Sequence, residues 1–240
     1  MTTSTIKTTR MSPYRAGVRD GLPFILMAAP FALVFGVAAT DAGLTLAQAM
    51  GFSVLVIAGA SQFAALQMMV DNAGIAFVLL AALAVNLRMA MYSAALVPAL
   101  GPAPLWQRAC VAYLLFDQTY IGSAARYEER PEMSIGERIA YFMGLATPIT
   151  PTWIGMTLVG ILAGAAVPEA WALDFIVPIV FLAMVAPMLK SWAHVAAAAV
   201  SVILSLALIG LPSGMGLLIA AAAAMVTGAT VETLIERRAQ

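Results

Sequence analysis

Residues 54–69 read VLVIAGASQFAALQMM, so two small residues and two hydrogen-bonding residues, Gly59-Ala60-Ser61-Gln62, interrupt an apolar run. A run of about 20 apolar residues crosses the roughly 30 Å hydrocarbon core of a bilayer as a helix. Several such runs follow one another in this chain, in which 62% of the residues are hydrophobic and 10% are charged. Soluble proteins average about 45–50% apolar and about 25% charged residues. The composition therefore predicts an all-α, polytopic integral membrane protein.

The apolar runs predict about eight transmembrane helices, with seven as the alternative, and several are expected to be broken by proline or glycine. The predicted spans are 22–40, 48–70, 74–98, 105–123, 139–163, 172–189, 192–210 and 214–232. We expect a single transmembrane transport domain, residues 22–232, between a cytoplasmic N-terminal segment, residues 1–21, and a cytoplasmic tail, residues 233–240. The stretch from Leu22 is too long for the core of a signal peptide and is predicted to be an uncleaved first helix.

The positions of Lys and Arg predict the orientation, because positively charged short loops stay on the cytoplasmic side of a membrane. With eight spans and both termini inside, ten of the twelve cations fall in cytoplasmic segments. A seven-span arrangement would place Arg237 and Arg238 outside, so eight spans are preferred. We therefore expect a multi-pass protein of the cytoplasmic membrane with both termini cytoplasmic.

Several classes of function lack their sequence signatures. The chain has no G-x-x-x-x-G-K-[ST] phosphate loop and no G-x-S-x-G nucleophile elbow. One histidine, His194, and one cysteine, Cys110, leave no His/Cys metal cluster. The formal net charge of zero gives no indication of nucleic-acid binding. We expect neither an enzyme nor a bound cofactor or metal.

Polar groups at bilayer depth are costly, and they usually face a bundle interior or a wet cavity that marks a substrate route. In the opening stretch, Gly59 permits close helix approach or local unwinding, while Ser61 and Gln62 supply donors and acceptors. One interpretation is a broken helix that lines a substrate site. The alternative is a tight helix crossing with Gln62 hydrogen-bonded across it.

Two charged residues lie within later predicted spans. In LAVNLRMAMYSAAL, Asn86 and Arg88 are two apart and do not share a helix face, whereas Arg88 and Tyr92 do. Arg88 either lines a cavity or extends to the membrane surface. Asp117 either forms a structural ion pair with Arg88 or binds a substrate ammonium group or a proton; on a regular helix, Tyr113 and Tyr120 would share its face.

Prolines are a further candidate feature, because a broken helix can point the N-terminus of a half-helix at an anionic group. Pro30 is the candidate pathway residue among them. The same candidate set contains Pro23, Pro148, Pro151, Pro178 and Pro187. The first and fifth spans also resemble each other loosely, which is consistent either with an internal repeat or with simple packing kinks.

The order and spacing of LPFILMAAPFALVFGVAATDAG, IAGASQFAALQMM, NLRMAMYSAAL and FDQTY resemble the AzlC family of bacterial membrane proteins. The resemblance implies the large subunit of an exporter of branched-chain amino acids in the bacterial inner membrane, with a small AzlD-like membrane subunit as its partner. The chain departs from the family by Gln118, where Asp117 is commonly followed by Glu.

The resulting hypothesis is a secondary carrier for valine, leucine, isoleucine and their analogues. The substrate carboxylate would meet Arg88 and backbone N–H groups near Gly59, and its ammonium would meet Asp117 or the amide carbonyls of Gln62 and Asn86. Two alternatives share the same composition: a permease or channel for another small solute, and a membrane scaffold subunit that does not transport.

Overall fold

The computed structural model describes residues 11–164, 189–211 and 215–239, and these residues contain helices and no strand. The helices are α1 (Pro13–Gly21), α2 (Ile25–Asp41), α3 (Leu46–Leu55), α4 (Gly59–Val70), α5 (Ile75–Leu100), α6 (Leu105–Tyr113), α7 (Asp117–Glu129), α8 (Ile135–Gly164), α9 (Trp192–Ala207) and α10 (Met215–Ala239). A 3₁₀ turn, Leu22–Phe24, joins α1 to α2 without interrupting the helical path. The predicted all-helical fold is confirmed for the described residues.

Two long helical segments, α1 with α2 and α8, run side by side in the same direction. Gly17 lies against Gly144 early in both segments, and Gly36 lies against Gly160 near their ends. A Cβ atom on any of these glycines would overlap backbone atoms of the opposite segment, so the glycines permit the close approach. We call the end of the bundle where both segments begin the near end, and the opposite end the far end.

Residues 46–70 form a helical hairpin, the first hairpin, in which three non-helical residues separate α3 from α4. Ser53 lies before this break and Gln62 after it, yet their side chains are hydrogen-bonded over 3.1 Å. These residues are nine positions apart, which a continuous helix would separate by about 13 Å along its axis. The chain therefore turns back on itself at the break.

Contacts with α8 show the direction of this turn. Gly59, the first residue of α4, packs against the ring of Trp153. Ser53, the partner of Gln62, is hydrogen-bonded to Thr157, one turn further along α8, over 3.1 Å. Since α4 moves from the level of Trp153 towards that of Thr157, it returns to the far end. The first hairpin therefore enters and leaves the bundle from the far end.

Residues 105–129 form the second hairpin, which enters from the near end and has its own break between α6 and α7. α7 begins beside the middle of α8, where Phe116 and Ile149 share an apolar cluster. It ends beside the start of α8, where the hydroxyl of Tyr127 donates to the carbonyl of Arg138 over 2.8 Å. The end of α5 lies at the near end as well, since Arg138 also donates to the carbonyl of Ala99 over 3.2 Å.

The two hairpins and the helices that precede them form an inverted pair. The hairpins begin at Leu46 and Leu105, 59 residues apart (105 − 46), and their second halves begin at Gly59 and Asp117, 58 residues apart (117 − 59). Each break is three residues long. The first unit enters its hairpin from the far end and the second from the near end, which makes the repeat inverted in topology. Inverted repeats of this kind are common in secondary transporters.

Hydroxyl groups at the third position of each second half-helix support this equivalence. Ser61 donates to the carbonyl of Ala58, the residue before α4, over 3.0 Å. Thr119 donates to the carbonyl of Phe116, the residue before α7, over 2.9 Å. The two repeats thus share the positions of their helix boundaries and also this hydrogen bond. It relates the first pair of predicted spans to the second pair, whereas the first and fifth spans, which resemble each other in sequence, pack in parallel.

The structure corrects two predictions: two of the predicted spans do not cross the membrane, and the described helices are not broken at prolines. Predicted spans 48–70 and 105–123 are hairpins and not crossings, because hydropathy records apolar length and not chain direction. The described residues include four helices long and apolar enough to cross a membrane. These are Pro13–Asp41, Ile75–Leu100, Ile135–Gly164 and Met215–Ile235. The predicted sixth span, 172–189, lies almost wholly outside the described residues, and so do Pro178 and Pro187.

Prolines do not break the described helices. Pro30 lies inside α2, and Pro148 and Pro151 lie inside α8, both of which are continuous. A proline removes one intrahelical hydrogen bond, but such helices are tolerated in membranes where neighbouring helices pack against them, as α2 and α8 do here. The breaks instead fall at residues 56–58 and 114–116, which contain no proline.

Candidate functional site

The tips of both hairpins meet at a cavity of about 60 Å³ in the middle of the bundle. Arg88, on its wall, is near the centre of α5, which runs from Ile75 to Leu100. The lining residues are Met27, Ala28, Phe31, Ile57, Ala58, Gly59, Ala60, Arg88, Met89, Phe116, Asp117, Gln118, Ile149 and Trp153. The hairpins contribute equivalent positions, from the residue before each second half-helix to its second residue. Equivalent positions of the two repeats therefore face the same cavity.

At the first hairpin, the N-terminus of α4 opens onto this cavity. The N–H groups of Ser61 and Gln62 both donate to the carbonyl of Ala58, over 3.0 Å. The N–H groups of Gly59 and Ala60 precede the first helical hydrogen bond and have no acceptor within α4. A helix N-terminus carries a partial positive charge that favours anions. This wall of the cavity is therefore suited to a carboxylate.

Ser61 and Gln62 lie behind the cavity wall, 1% and 0% exposed. With its amide oriented to satisfy both neighbours, Gln62 donates to the carbonyl of Val56 over 3.1 Å and accepts from the hydroxyl of Ser53 over 3.1 Å. The Val56 carbonyl belongs to the break and also accepts from the N–H of Ala58 over 2.8 Å, so Gln62 gives it a second donor. The residues of the Gly59–Gln62 motif thus have two roles. Gly59 lines the cavity, whereas Ser61 and Gln62 lie behind its wall and stabilise the turn of the first hairpin.

At the second hairpin, Asp117 forms an ion pair with Arg88, with 3.1 Å between Oδ2 and Nη1. The hydroxyl of Tyr92 donates to the other carboxylate oxygen over 3.1 Å. The rings of Tyr92 and Tyr120 stack with their centres 4.1 Å apart. The side chains of Arg88 and Asp117 are 27% and 29% exposed, so both remain accessible from the cavity. Of the two interpretations of Arg88, the structure has the one in which it faces the interior.

The remaining predicted residues have different positions. The side-chain oxygen of Asn86 is buried without a hydrogen-bond partner among the described residues, and Asn86 is not on the cavity wall. Pro30 precedes the wall residue Phe31 in a continuous α2. Tyr113 turns away from Asp117, because its hydroxyl donates to the carbonyl of Val54 over 2.6 Å. That bond joins the second hairpin to the first, close to both breaks.

Sequence reasoning missed three polar residues around the site. Thr119 accepts from the N–H of Phe116 over 3.0 Å and donates to the carbonyl of Leu114 over 2.9 Å, so its hydroxyl bridges the second break. Thr157 is fully buried beside Ser53. Trp153 lines the cavity. Thr157 lies in an apolar stretch like many structural threonines, and Thr119, although within FDQTY, carries no charge that would indicate its role. Among the described residues, no group of three or more His, Cys, Asp or Glu side chains is arranged to hold a metal.

A family model described as "AzlC protein" matches residues 23–167, which is more than half of the chain. The chain belongs to the AzlC family. The matched segment contains both hairpins and every residue on the cavity wall. The resemblance inferred from the sequence is thereby confirmed, and it associates the chain with membrane transport and not with an enzyme family.

Two known proteins are similar in sequence to this AzlC protein. "Inner membrane protein YgaZ" of Escherichia coli (strain K12) is 24% identical over 180 residues, which cover 70% of each chain. A protein of Archaeoglobus fulgidus described as "Uncharacterized membrane protein" is 30% identical over 193 residues, 77% of this chain and 80% of that protein. Both names state a membrane protein, in agreement with the long apolar helices. No solved structure matches the chain.

Proposed function

We propose that this AzlC protein is the transport subunit of an exporter for branched-chain amino acids, including valine, leucine and isoleucine. The observation that supports this most strongly is the Arg88–Asp117 ion pair at the tips of two inverted hairpins. A zwitterion can exchange partners with an internal ion pair, because its carboxylate replaces Asp117 beside Arg88 and its ammonium replaces Arg88 beside Asp117. The site stays electrically neutral in both arrangements.

Each end of the substrate has a matching wall in this proposal. Its carboxylate binds Arg88 and the N-terminus of α4 at Gly59. Its ammonium binds Asp117, since Gln62 is fully buried behind the wall and bonded within the first hairpin. Apolar side chains, including Phe116 and Ile149, make up most of the remaining surface. They suit an aliphatic side chain and lack additional charges for acidic or basic amino acids.

The inverted repeat supports a secondary carrier. Carriers with inverted repeats alternate between inward-open and outward-open forms as one repeat moves against the other around a central site. The cavity of about 60 Å³ is far smaller than the roughly 300–1,000 Å³ of typical ligand pockets. Substrate entry therefore requires the hairpin tips to separate, and breaking the Arg88–Asp117 pair is the natural first step.

The charge distribution supports an orientation in the inner membrane. Apart from Arg88, every Lys and Arg in residues 11–164 lies at the near end of the bundle. These are Arg15, Arg19, Arg108, Arg126, Arg130 and Arg138. Arg108 belongs to this set because it donates to the carbonyl of Gly101, at the end of α5, over 3.2 Å. We propose that the near end and both termini are cytoplasmic, and that a small AzlD-like subunit completes the exporter in the bilayer.

The test loads cells that lack this protein with a valine-containing dipeptide and follows valine efflux after the protein is restored, with and without the neighbouring small membrane subunit. We expect restored efflux, and we expect Arg88→Ala or Asp117→Asn to abolish it while the protein still reaches the membrane. Unchanged efflux in both variants would contradict the proposed site. Absence of valine efflux, with transport of an unrelated solute, would favour a different permease or a channel. No transport would favour a scaffold subunit.

A further inference from the structure

Trp153 carries a buried hydrogen-bond donor that has no acceptor. The residue lines the central cavity and is 6% exposed. Its indole N–H has no hydrogen-bond partner among the described residues. Most buried polar groups in native proteins are paired, and an unpaired one costs free energy. An acceptor that the described chain does not provide would relieve this cost.

The contacts of the indole show which part of the cavity wall its ring forms. A Cβ atom on Gly59 would be only 2.6 Å from Cη2 of Trp153, so the ring lies directly against the N-terminus of α4. The N–H groups of Gly59 and Ala60 lack acceptors within that helix. Nε of Arg88, another residue of the cavity wall, is likewise buried without a partner among the described residues. These donors thus belong to residues that line the same cavity.

The carboxylate at the cavity wall is already engaged. The two carboxylate oxygens of Asp117 accept from Arg88 and from Tyr92. The unpartnered indole N–H would be satisfied by an acceptor on a bound substrate, and a carboxylate offers two oxygens with about four lone-pair directions. A carboxylate can accept from the indole and from the helix N-terminus at the same time.

We propose that the indole N–H of Trp153 donates a hydrogen bond to the substrate carboxylate and so makes Trp153 a specificity-determining residue of the exporter. This inference rests on the proposed function, which it extends by naming a donor outside the ion pair. It also assigns an orientation: the carboxylate of the zwitterion faces α4 and α8, and the ammonium faces Asp117 at α7. Trp153 therefore does not strengthen the binding of ligands that have no carboxylate.

The test compares the wild-type protein with Trp153→Phe, each reconstituted in liposomes with its small membrane subunit. Phenylalanine keeps an aromatic ring beside Phe31, 5.7 Å away between ring centres, and removes only the N–H donor and the second ring. We measure valine exchange and its inhibition by isovalerate, which lacks the ammonium group, and by isobutylamine, which lacks the carboxylate. The control is Trp106→Phe, at a residue 67% exposed on α6.

Loss of one hydrogen bond to a charged group predicts a half-saturating valine concentration about 10- to 100-fold higher in Trp153→Phe. Inhibition by isovalerate should weaken by a similar factor, whereas inhibition by isobutylamine should not change. Trp106→Phe should behave as wild type. The inference is overturned if Trp153→Phe has the same half-saturating valine concentration as the wild type. It is also overturned if the variant weakens inhibition by isobutylamine as much as inhibition by isovalerate, because the indole would then act through packing. Absence of valine exchange in the wild type would overturn the proposed function itself.

Discussion

Gly160→Ala should destabilise the bundle by forcing α2 and α8 apart. A Cβ atom at this position would overlap the carbonyl oxygen of Leu33 and lie 2.9 Å from its carbon, and it would lie 3.1 Å from Cα of Gly36. These are backbone atoms of α2, so no side-chain rotation relieves the overlap. The two helices must move apart, and the close packing along their length is lost.

The magnitude follows from two opposing effects. Overpacking at a tight contact costs about 1–3 kcal/mol, and the rigid backbone places Gly160→Ala at the upper end or above it. Alanine in place of glycine favours a helix by about 0.8–1.0 kcal/mol. The net loss is about 2 kcal/mol. Gly155→Ala is the matched control, since Gly155 lies in the same helix and its Cβ atom would meet nothing within 4 Å. That variant should be neutral or more stable by up to about 1 kcal/mol.

Thermal unfolding of the detergent-solubilised protein measures both changes. A loss of 2 kcal/mol predicts a fall in Tm of about 4–8 °C for Gly160→Ala, and an unchanged or higher Tm for Gly155→Ala. Valine exchange should fall in Gly160→Ala alone, because α2 and α8 carry Phe31 and Trp153 to the cavity wall. Equal Tm values for the two variants would refute the parallel, glycine-mediated packing of these helices.

Three further predictions concern the hairpin tips. Gly59→Ala should lower both Tm and valine exchange, because its Cβ atom would press on two cavity rings, whereas Gly51→Ala, whose Cβ atom meets nothing within 4 Å, should leave exchange unchanged. Thr119→Val removes the hydroxyl that bridges the second break and should cost about 1–3 kcal/mol of unfolding free energy; an unchanged Tm would show that the bridge is dispensable. Gln118→Glu adds to the cavity wall a carboxyl group that is ordinarily ionised at neutral pH, so valine exchange at neutral pH should fall below that of the wild type; exchange equal to the wild type would contradict this.

Local sequence properties predicted the class of the protein and the depth of its charges well. An arginine in the middle of an apolar helix needs a partner wherever that helix packs, and Asp117 was the ionisable residue nearest in predicted depth. Of the interpretations left open for Asp117, the structure contains the ion pair. Its additional role in binding an ammonium group remains a proposal.

The hairpins could not be predicted in the same way. Residues 46–70 have the length and apolar content of a crossing helix, and the break at 56–58 contains neither proline nor glycine. A break at this depth is stable only where other groups satisfy its backbone. Those groups, such as Gln62 for the Val56 carbonyl, act across a turn that exists only in the folded chain. Prolines gave the opposite error, since they predicted breaks that the folded chain does not have. Pro30 lies inside α2, and Pro148 and Pro151 lie inside α8, and neighbouring groups keep both helices continuous.

The sequence by itself determined that this chain is a helical membrane protein and that Arg88 requires a counter-charge, and it predicted the one-sided distribution of cations that residues 11–164, Arg88 apart, have in the structure. These properties depend on the cost of placing each residue in hydrocarbon, and that cost is a property of residue type and spacing. The tertiary structure alone decided that two apolar segments turn back as inverted hairpins, that Gly59 and not Gln62 faces the cavity, and that Trp153 lies against a helix N-terminus. These features depend on contacts between residues distant in the chain, which hydropathy and periodicity do not record.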